Sequence, residues 1–571
     1  MFSLFLWHSK SFYLSSYFLE QIVMLEKSFV SYIEESLKKN WDFTALSDYE
    51  GESYTYAEIA TNINKFHELF KEAGIFEGDK IALVGKNSAR WGVLYLSIVS
   101  YGAVVVPILP DFKPDDLHEI INHSDSILLF AGGTLTGKFE FSKMQKLMGI
   151  IAIDDFSLLQ SKSEKLDSIF KLNGFDVKKN NLTEIKDDFH LPYIGNENLA
   201  LISYTSGTTG FTKGVMLQHN SLAANIRFAQ RNMPLKAGDK IVSFLPLAHA
   251  FGAAFEFLFP FTMGCHVTIL TKTPSPQIII KAFQEIKPAL ILSVPLVIEK
   301  IYKNKLLPML RKPHIKALLS VPLIKSVLLN KFNAKMREVF GGNFTELIIG
   351  GAPINSEAEA FFKKIKFPFT VGYGMTECGP LISYEKCTKF ISGSSGKVVD
   401  TLEIKIDSED PENIIGEIMV RGENVMMGYY KNEKATKEIL TEDGWLHTGD
   451  IGIIDKEGNI HIKGRSKSMI LGANGKNIYP EEIESIFDNR YAVGESLIVH
   501  RDNKLVALIY PDFETVEKEN ILPDELIKIY DHHKKAINHK LPGYMNISAV
   551  ELQNEEFVKT PKKSIKRFLY N

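Results

Sequence analysis

One glycine- and threonine-rich stretch of the sequence has the composition of a phosphate-binding loop. It reads Tyr204-Thr-Ser-Gly-Thr-Thr-Gly-Phe-Thr-Lys-Gly-Val215 and follows an apolar run, residues 199–203, that predicts a buried strand. Glycine lets backbone N–H groups approach an anion, hydroxyl groups add donors, and lysine adds a positive charge. Residues 198–238 contain no Asp or Glu. The stretch therefore predicts a phosphate site, whose candidate residues are Thr205, Ser206, Gly207, Thr208, Thr209, Gly210 and Lys213.

The composition of this stretch also fits other kinds of loop. A cluster of small polar residues is usually an ordinary loop between two elements. The phosphate loop of kinases and GTPases, G-x-x-x-x-G-K-[ST], is excluded because Gly214 follows Lys213 where that pattern needs Ser or Thr. The choice between an ordinary loop and a phosphate site therefore depends on the rest of the chain.

A second stretch, Val371-Gly-Tyr-Gly-Met-Thr-Glu-Cys378, combines an aromatic ring with oxygen-bearing side chains. Tyr373 can stack on a flat base, and Thr376 can donate to a phosphate oxygen. Glu377 offers a hard oxygen ligand of the kind that Mg²⁺ prefers. On its own the pattern is weak, but it gains weight beside a phosphate site.

A third stretch, Trp445-Leu-His-Thr-Gly-Asp-Ile-Gly452, places an aspartate between glycine and an apolar strand. The two oxygens of Asp450 can accept hydrogen bonds from both hydroxyl groups of a ribose. An isolated aspartate at such a position more often caps a turn. The fourth stretch, Leu245-Pro-Leu-Ala-His-Ala-Phe-Gly252, precedes aromatic and apolar residues. It makes His249 either part of an apolar pocket or a hydrogen-bonded core residue.

Together these stretches resemble the motifs of the adenylate-forming superfamily, which includes acyl-CoA synthetases, luciferases and the adenylation domains of peptide synthetases. Four separate motifs follow the family's order, and the resemblance spans residues 28–567. It implies that Lys213 and the loop hold the β- and γ-phosphates of ATP, that Glu377 with Thr205 positions Mg²⁺, and that Asp450 binds the ribose. The resemblance also implies further nucleotide-binding residues: an adenine-pocket segment with Gly351, Ala352 and Pro353, and the side chains or backbone of Tyr373, Gly374, Thr376 and Arg465. On the acyl and CoA side it implies His249, Gly372 and Gly475. It places the hinge between the two domains at Lys467.

The resemblance implies a two-step reaction that uses ATP, Mg²⁺ and coenzyme A. A carboxylate is first joined to the α-phosphate of ATP, which releases pyrophosphate and gives an acyl-adenylate. The thiol of CoA then displaces AMP. A medium- or long-chain fatty acid is favoured by three features: the long-chain form of the C-terminal motif, the basic residues 300–337, and the aromatic and apolar residues that follow Gly252 up to Phe261. An aryl or short acid, and an acyl carrier protein as acceptor, remain alternatives.

The C-terminus departs from the family's pattern. The family has a lysine that neutralises charge at the α-phosphate, and Thr560-Pro-Lys-Lys-Ser-Ile-Lys-Arg567 places Ser564 at that position. We expect Lys563 to replace this lysine, with Lys562 next to it, and Lys213, Thr376 and Glu377 to complete the catalytic set. If no lysine reaches the site, adenylation should slow by orders of magnitude. The chain would then be a nucleotide- or acyl-binding protein without turnover.

At 571 residues the chain is too long for one ordinary core, which predicts at least two domains. The resemblance implies an α/β fold. A large N-terminal domain, residues 24–464, contains two helix-covered sheets and a small β-barrel, and a small mobile α+β domain covers residues 465–571. Residues 1–23 are interpreted as a membrane-surface segment or, preferentially, as an artefact of start-site choice. Residues 29–80 predict amphipathic helices, and residues 91–110 predict a buried helix and a strand instead of a membrane span.

Composition narrows the class of protein further. A net charge of −3 gives no reason to expect nucleic-acid binding, and three cysteines indicate a reducing, cytoplasmic location. Residues 300–337 contain ten Lys or Arg and no acidic residue. This segment predicts either a solvated helix pair or a peripheral contact with the inner face of a membrane. The sequence does not predict the oligomeric state.

Overall fold

The computed structural model describes residues 25–172, 186–206, 212–272, 274–310, 312–471, 477–501, 504–560 and 565–570. Its largest sheet has eight strands, in the spatial order Gly428–Tyr429, Thr212–Gln218, Leu199–Ser206, Val104–Ile108, Lys80–Val84, Ser126–Ala131, Gly149–Ala152 and Leu158–Ser161. The five strands from Leu199–Ser206 to Gly149–Ala152 are parallel. They are apolar runs because helices cover the faces of the sheet. Helices of this part of the chain are Phe29–Lys39, Tyr56–Ala73, Ala89–Tyr101, Pro114–His123, Glu164–Leu172 and His219–Asn232.

A second sheet lies in two hydrogen-bonded groups. The first group has the order Lys240–Ser243, His266–Ile269, Thr44–Asp48, Ser53–Thr55, and the second has the order Leu290–Ser293, Glu346–Ile349, Phe369–Val371. The amide of Ala289 donates to the carbonyl of Lys240 at 2.9 Å and joins the two groups. Helices beside them are Pro276–Ile286, Pro295–Ile301, Leu307–Leu310, Pro313–Leu319, Pro322–Val339 and Ser356–Lys364. The expected pair of helix-covered sheets is therefore present.

The prediction of helices throughout residues 29–80 is wrong in part. Thr44–Asp48 and Ser53–Thr55 are strands, and Thr44–Asp48 pairs in parallel with His266–Ile269, which lies far away in the sequence. Local periodicity cannot reveal such a partner. The helix Tyr56–Ala73 itself begins as expected, because Thr55 and Glu58 form a capping box at its start.

The expected barrel region consists of two small antiparallel sheets. One contains Leu402–Asp407, Gly416–Gly422, Leu446–Ile454 and Ile460–Arg465, and the other contains Tyr373–Gly374, Leu381–Tyr384 and Lys397–Val398. A bridge between Lys397 and Asn459 connects them. The remaining helix of this region is Glu433–Lys437.

The C-terminal part combines a three-stranded sheet with helices. Its strands are Val493–Arg501, Lys504–Pro511 and Ile547–Leu552, and its helices are Pro480–Phe487, Phe513–Lys518 and Pro523–Asn538. The short strands Ile470–Leu471 and Asn477–Ile478 precede them. A hydrophobic core of its own, with Ile483, Leu526 and Tyr530, packs inside this part. The domain boundary at residues 464/465 stays a prediction.

The segment that resembled a membrane span is divided as expected. Ala89–Tyr101 is a buried helix and Val104–Ile108 a buried strand. Among the described residues, no helix has both the length and the apolar composition needed to cross a bilayer.

Candidate active site

The predicted phosphate loop connects two antiparallel strands of the large sheet. Thr205, near the end of Leu199–Ser206, pairs with Lys213, near the start of Thr212–Gln218. Gly214 lies against the preceding strand, where a Cβ would be only 2.9 Å from Ile202 Cγ2. The small residue therefore lets the two strands approach closely beside the candidate lysine. Outside the described residues lie Gly207, Thr208, Thr209 and Gly210, and the side chain of Ser206 is likewise not described.

Tyr429 connects Lys213 with Glu377. The Nζ of Lys213 lies 4.6 Å from the centroid of the Tyr429 ring, and the Tyr429 hydroxyl donates to Glu377 Oε1 at 2.9 Å. The strand Gly428–Tyr429 pairs with Thr212–Gln218, which holds Tyr429 in this place. Sequence reasoning missed Tyr429, because only its pairing with a distant strand brings it to the site.

Glu377 and Thr205 have the chemistry that a magnesium ion requires. Tyr429 contacts only Oε1 of Glu377, and no described residue donates a hydrogen bond to Oε2. No group of three or more His, Cys, Asp or Glu that could hold a metal ion occurs in the described part of the chain. Mg²⁺ in nucleotide sites commonly takes one or two protein oxygens together with substrate phosphates, so one carboxylate and one hydroxyl fit this ion.

A second cluster joins Tyr373, Asp450 and Arg465. The Tyr373 hydroxyl donates to Asp450 Oδ2 at 2.7 Å, and Arg465 Nε lies 3.2 Å from Asp450 Oδ1. Asp450 and Arg465 are cross-strand partners in the small antiparallel sheet. Burial raises the pKa of Asp450, whereas Arg465 and the Tyr373 hydroxyl lower it. The negative charge of Glu377 contributes further to raising the pKa of Asp450.

The predicted adenine-pocket segment lies beside Tyr373. Ile349 and Val371 are partners in parallel strands, so Gly351, Ala352 and Pro353 leave the same sheet edge as Gly372. The Gly372 amide donates to the carbonyl of Ile349 at 2.9 Å. A Cβ on Gly374 would collide with the carbonyl oxygen of Pro380, so only glycine fits at this position, which follows Tyr373 directly. The structure therefore brings this segment next to the stretch of residues 371–378, which contains Tyr373.

His249 lies at the N-terminus of the short helix Ala250–Gly252 and is only partly buried. It lines a small, largely apolar cavity, whose other walls include Tyr95, Leu201, Leu217 and Ala253. This position favours a pocket role over a core role for His249. Nearby, the fully buried Glu256 accepts hydrogen bonds from the amides of Phe244 and Leu245 at 2.9 and 2.8 Å. Glu256 was not predicted from the sequence, although an acidic residue within an apolar run is a signal that could have indicated a buried carboxyl group.

The remaining predicted positions belong to the C-terminal part of the chain. Gly475 and Lys563 lie outside the described residues, as do Lys562 and Ser564. The flanking residues are described: Lys559 bridges to Ile565, and Arg567 pairs with Glu484. Lys467 lies in an exposed turn, Ser466–Ser468, between two short strands. Its role as a hinge stays a prediction.

Comparison with known proteins identifies the family. The family described as "AMP-binding enzyme" matches residues 33–430, which is more than two thirds of the chain. The chain therefore belongs to this family.

Two relatives and one solved structure illustrate the similarity. "Long-chain-fatty-acid--CoA ligase 1" of Saccharomyces cerevisiae is 29% identical over 538 residues, covering 85% of this chain and 75% of the yeast protein. The chloroplastic "Long-chain-fatty-acid--[acyl-carrier-protein] ligase AEE15" of Arabidopsis thaliana is 28% identical, covering 81% and 73%. The structure of "the anthranilate CoA ligase AuaEII in complex with anthranoyl-AMP" has a TM-score of 0.75 at 20% identity, covering 96% of this chain and 97% of that one. This likeness shows the shared fold.

Proposed function

We propose that this protein is an AMP-forming ligase that activates a long-chain fatty acid and transfers it to CoA. One observation supports this most: Tyr429 contacts both Lys213 and Glu377, and Asp450 accepts a hydrogen bond from Tyr373, which lies four residues before Glu377 in the chain. The substrate class follows from the relatives, which are named for long-chain fatty acids. ATP and CoA are the co-substrates.

In the first half-reaction, a carboxylate oxygen of the fatty acid bonds to the α-phosphorus of ATP while the bond to the bridging oxygen breaks. Pyrophosphate leaves with that electron pair. Lys213 offers positive charge to the β- and γ-phosphates, Thr376 offers a hydroxyl, and Asp450 holds the ribose. Thr205 and Glu377 would hold Mg²⁺, which supplies further neutralisation of phosphate charge when bound.

In the second half-reaction, the sulfur of CoA attacks the acyl carbon, and AMP leaves with the electron pair of the broken C–O bond. The thiol proton passes to solvent or to a base. Rotation of the C-terminal part about Lys467 would bring the segment with Gly475 toward the thioester site. His249 lies at the wall of the apolar cavity, on the acyl side of this scheme.

The test of the first half-reaction is fatty-acid-dependent exchange of pyrophosphate into ATP. We expect exchange in the wild type, and a loss of at least about 100-fold in Lys563→Ala if this lysine supplies the charge at the α-phosphate. Ser564→Lys is the matched variant, because it restores the family's residue. Absence of exchange with acids of every chain length would exclude the proposal and favour a binding protein without turnover.

A carrier-protein acceptor is the second candidate, because one relative is named for an acyl-carrier-protein ligase. Thioester formation with CoA and with holo acyl carrier protein, each supplied with the same acyl-adenylate, separates the two. We expect CoA to be used faster. Faster acylation of the carrier protein would reverse the assignment.

A peripheral membrane contact is also proposed for residues 300–337. The helices Pro313–Leu319 and Pro322–Val339, with the turn between them, expose both apolar and basic side chains: Leu318, Val321, Ile324 and Val327, and Lys325, Lys331 and Lys335. Apolar and basic side chains on one exposed segment suit an anionic lipid surface, where each lysine contributes about 1 kcal/mol. Phe332 and Met336 of the second helix are buried and anchor it to the protein.

Sedimentation with lipid vesicles tests this contact. We expect binding to vesicles that contain phosphatidylserine, weaker binding to phosphatidylcholine alone, and a loss in the triple variant Lys325→Glu, Lys331→Glu, Lys335→Glu. The variant Val327→Ser should weaken binding without changing the salt dependence. Equal binding of the wild type and the triple variant would rule out this surface.

A further inference from the structure

The edge strand Gly428–Tyr429 and the next residue present two tyrosines to opposite sides of the large sheet. The Tyr429 hydroxyl donates to Glu377, whereas the Tyr430 hydroxyl donates to Asp125 Oδ2 at 2.8 Å. This alternation is the usual consequence of extended backbone. Tyr429 therefore belongs to the candidate site, and its neighbour in sequence does not.

The backbone around Tyr429 is bound to two segments of the site. The Tyr430 amide donates to the carbonyl of Gly214 at 2.8 Å, next to Lys213. The Met426 amide donates to the carbonyl of Glu377 at 2.9 Å. The edge strand thus links the strand that follows the phosphate loop to the segment that carries the candidate metal carboxylate.

The side chain of Tyr429 is suited to this place in two ways. Its hydroxyl donates a hydrogen bond to Glu377 Oε1 at 2.9 Å. Its ring attracts the Lys213 ammonium, which lies 4.6 Å from the ring centroid. In the described part of the chain, Lys213 and Glu377 form no ion pair with each other. The Tyr429 side chain therefore contacts both charged groups, Lys213 through its ring and Glu377 through its hydroxyl.

We propose that Tyr429 is a positioning residue for the bound nucleotide. It fixes the carboxylate of Glu377 through one oxygen, leaves the other oxygen for a cation, and holds Lys213 on its ring so that the ammonium remains available to phosphate. This inference rests on the proposed function, in which Glu377 and Lys213 bind the cation and the phosphates of ATP.

The experiment measures cation binding directly. Mn²⁺ replaces Mg²⁺, and electron paramagnetic resonance reports free Mn²⁺ during titration of the full-length protein with ATP. Calorimetry gives ATP affinity in EDTA. Tyr429→Phe keeps the ring and removes the hydroxyl, Tyr429→Leu removes both, and Tyr430→Phe is the matched control on the opposite side of the sheet.

We expect Tyr429→Phe to weaken Mn²⁺ binding about 3- to 10-fold, as the loss of one hydrogen bond allows, with ATP affinity in EDTA unchanged. Tyr429→Leu should weaken Mn²⁺ binding as much and also change ATP affinity in EDTA, because Lys213 loses its aromatic contact. Tyr430→Phe should leave both affinities within twofold of the wild type. If Tyr429→Leu does not fold, Tyr429→Phe decides the question.

Two results would overturn the inference. The first is Mn²⁺ affinity in Tyr429→Phe equal to that of the wild type. The second is an equal loss in Tyr430→Phe, which would indicate general loosening of the edge strand. A wild type that binds Mn²⁺ no better with ATP than without it would instead contradict the proposed function, since the cation role of Glu377 would then be absent.

Discussion

At the scale of single residues, Asp450 is a nearly buried carboxylate with two stabilising neighbours. Burial raises its pKa, and contact with Arg465 and Tyr373 opposes this shift. An ionised carboxylate accepts two hydrogen bonds, whereas a protonated one gives up part of that capacity. The hydroxyl of Tyr373 therefore helps to keep Asp450 ionised, which is the form that the proposed contact with a ribose requires.

Tyr373→Phe should weaken ATP binding by about 0.5–1.5 kcal/mol, since one hydrogen bond to the carboxylate is lost. The pKa of Asp450 should rise further, so the loss should be larger at pH 6 than at pH 8. Calorimetric titration with ATP at both pH values measures this. Tyr384→Phe, which removes a buried hydroxyl bonded to Glu346, is the control. An ATP affinity of Tyr373→Phe equal to that of the wild type at both pH values would contradict the role assigned to Asp450.

Glu256 predicts a pH dependence of stability. Burial raises the pKa of Glu256 to about 8, whereas an unfolded glutamate titrates near 4.5. As pH rises between these values, the unfolded chain loses this proton and the folded chain keeps it, so Glu256 makes folding less favourable by up to about 1.4 kcal/mol per pH unit.

The variant Glu256→Gln replaces the carboxyl group with an amide, which does not titrate in this pH range. We expect the difference in Tm, variant minus wild type, to become more positive as pH rises from 5.5 to 8.5. The amide oxygen of the glutamine can still accept the hydrogen bonds from the amides of Phe244 and Leu245. Thermal denaturation at both pH values measures the difference. A gap between variant and wild type that does not change with pH would indicate that Glu256 is ionised in the folded protein.

At the scale of elements, helix boundaries follow local chemistry closely. Thr55 accepts a hydrogen bond from the amide of Glu58, and the Glu58 side chain accepts one from the amide of Thr55. Thr55→Ala should destabilise the N-terminal part by about 1 kcal/mol, because an amide at the helix start loses its acceptor. Chemical denaturation followed by tryptophan fluorescence measures this. Thr55→Ser, which keeps the hydroxyl, should stay near the wild type, and an equal loss in both variants would exclude capping as the cause.

Elements with local signals could be predicted from the sequence. The helix after Tyr479 begins at Pro480 with Glu481 and Glu482 in its first turn, where proline and acidic residues are favoured. The strand Thr44–Asp48 could not be predicted, because its partner His266–Ile269 is distant in sequence. The same limit applies to the candidate site. The motifs with Lys213, Glu377 and Asp450 have recognisable sequence patterns, so these residues could be predicted. Tyr429 could not be predicted, because only the pairing of Gly428–Tyr429 with Thr212–Gln218 brings it to the site.

At the scale of the whole molecule, one side chain links the large part of the chain to its C-terminal part. Lys303 Nζ donates to the carbonyl of Asp488 at 2.6 Å, at the end of helix Pro480–Phe487. A positive charge at a helix C-terminus is favourable. Burial raises the pKa of the Asp488 side chain to about 7. Because the proposed cycle rotates the C-terminal part, this contact belongs to one orientation and favours it.

Lys303→Met should therefore shift the population away from this orientation by roughly 5- to 30-fold, the equivalent of about 1–2 kcal/mol. Energy transfer between dyes placed on the two parts measures the shift. Lys300→Met changes an exposed lysine one turn earlier and should leave the distance distribution unchanged. An unchanged distribution in Lys303→Met would show that the contact does not govern the orientation.

The pairing of the edge strand also limits how this protein can change in length. Suppose that the chain changes by one residue just before Gly428 and keeps the backbone pairing with Met216 and Val215. A deletion would bring Tyr430 to the place of Tyr429, and an insertion would bring Gly428 there. A deletion would still present an aromatic ring there, but an insertion would present none. Engineered or natural variants should therefore tolerate a substitution at the exposed Met427 more readily than an insertion there.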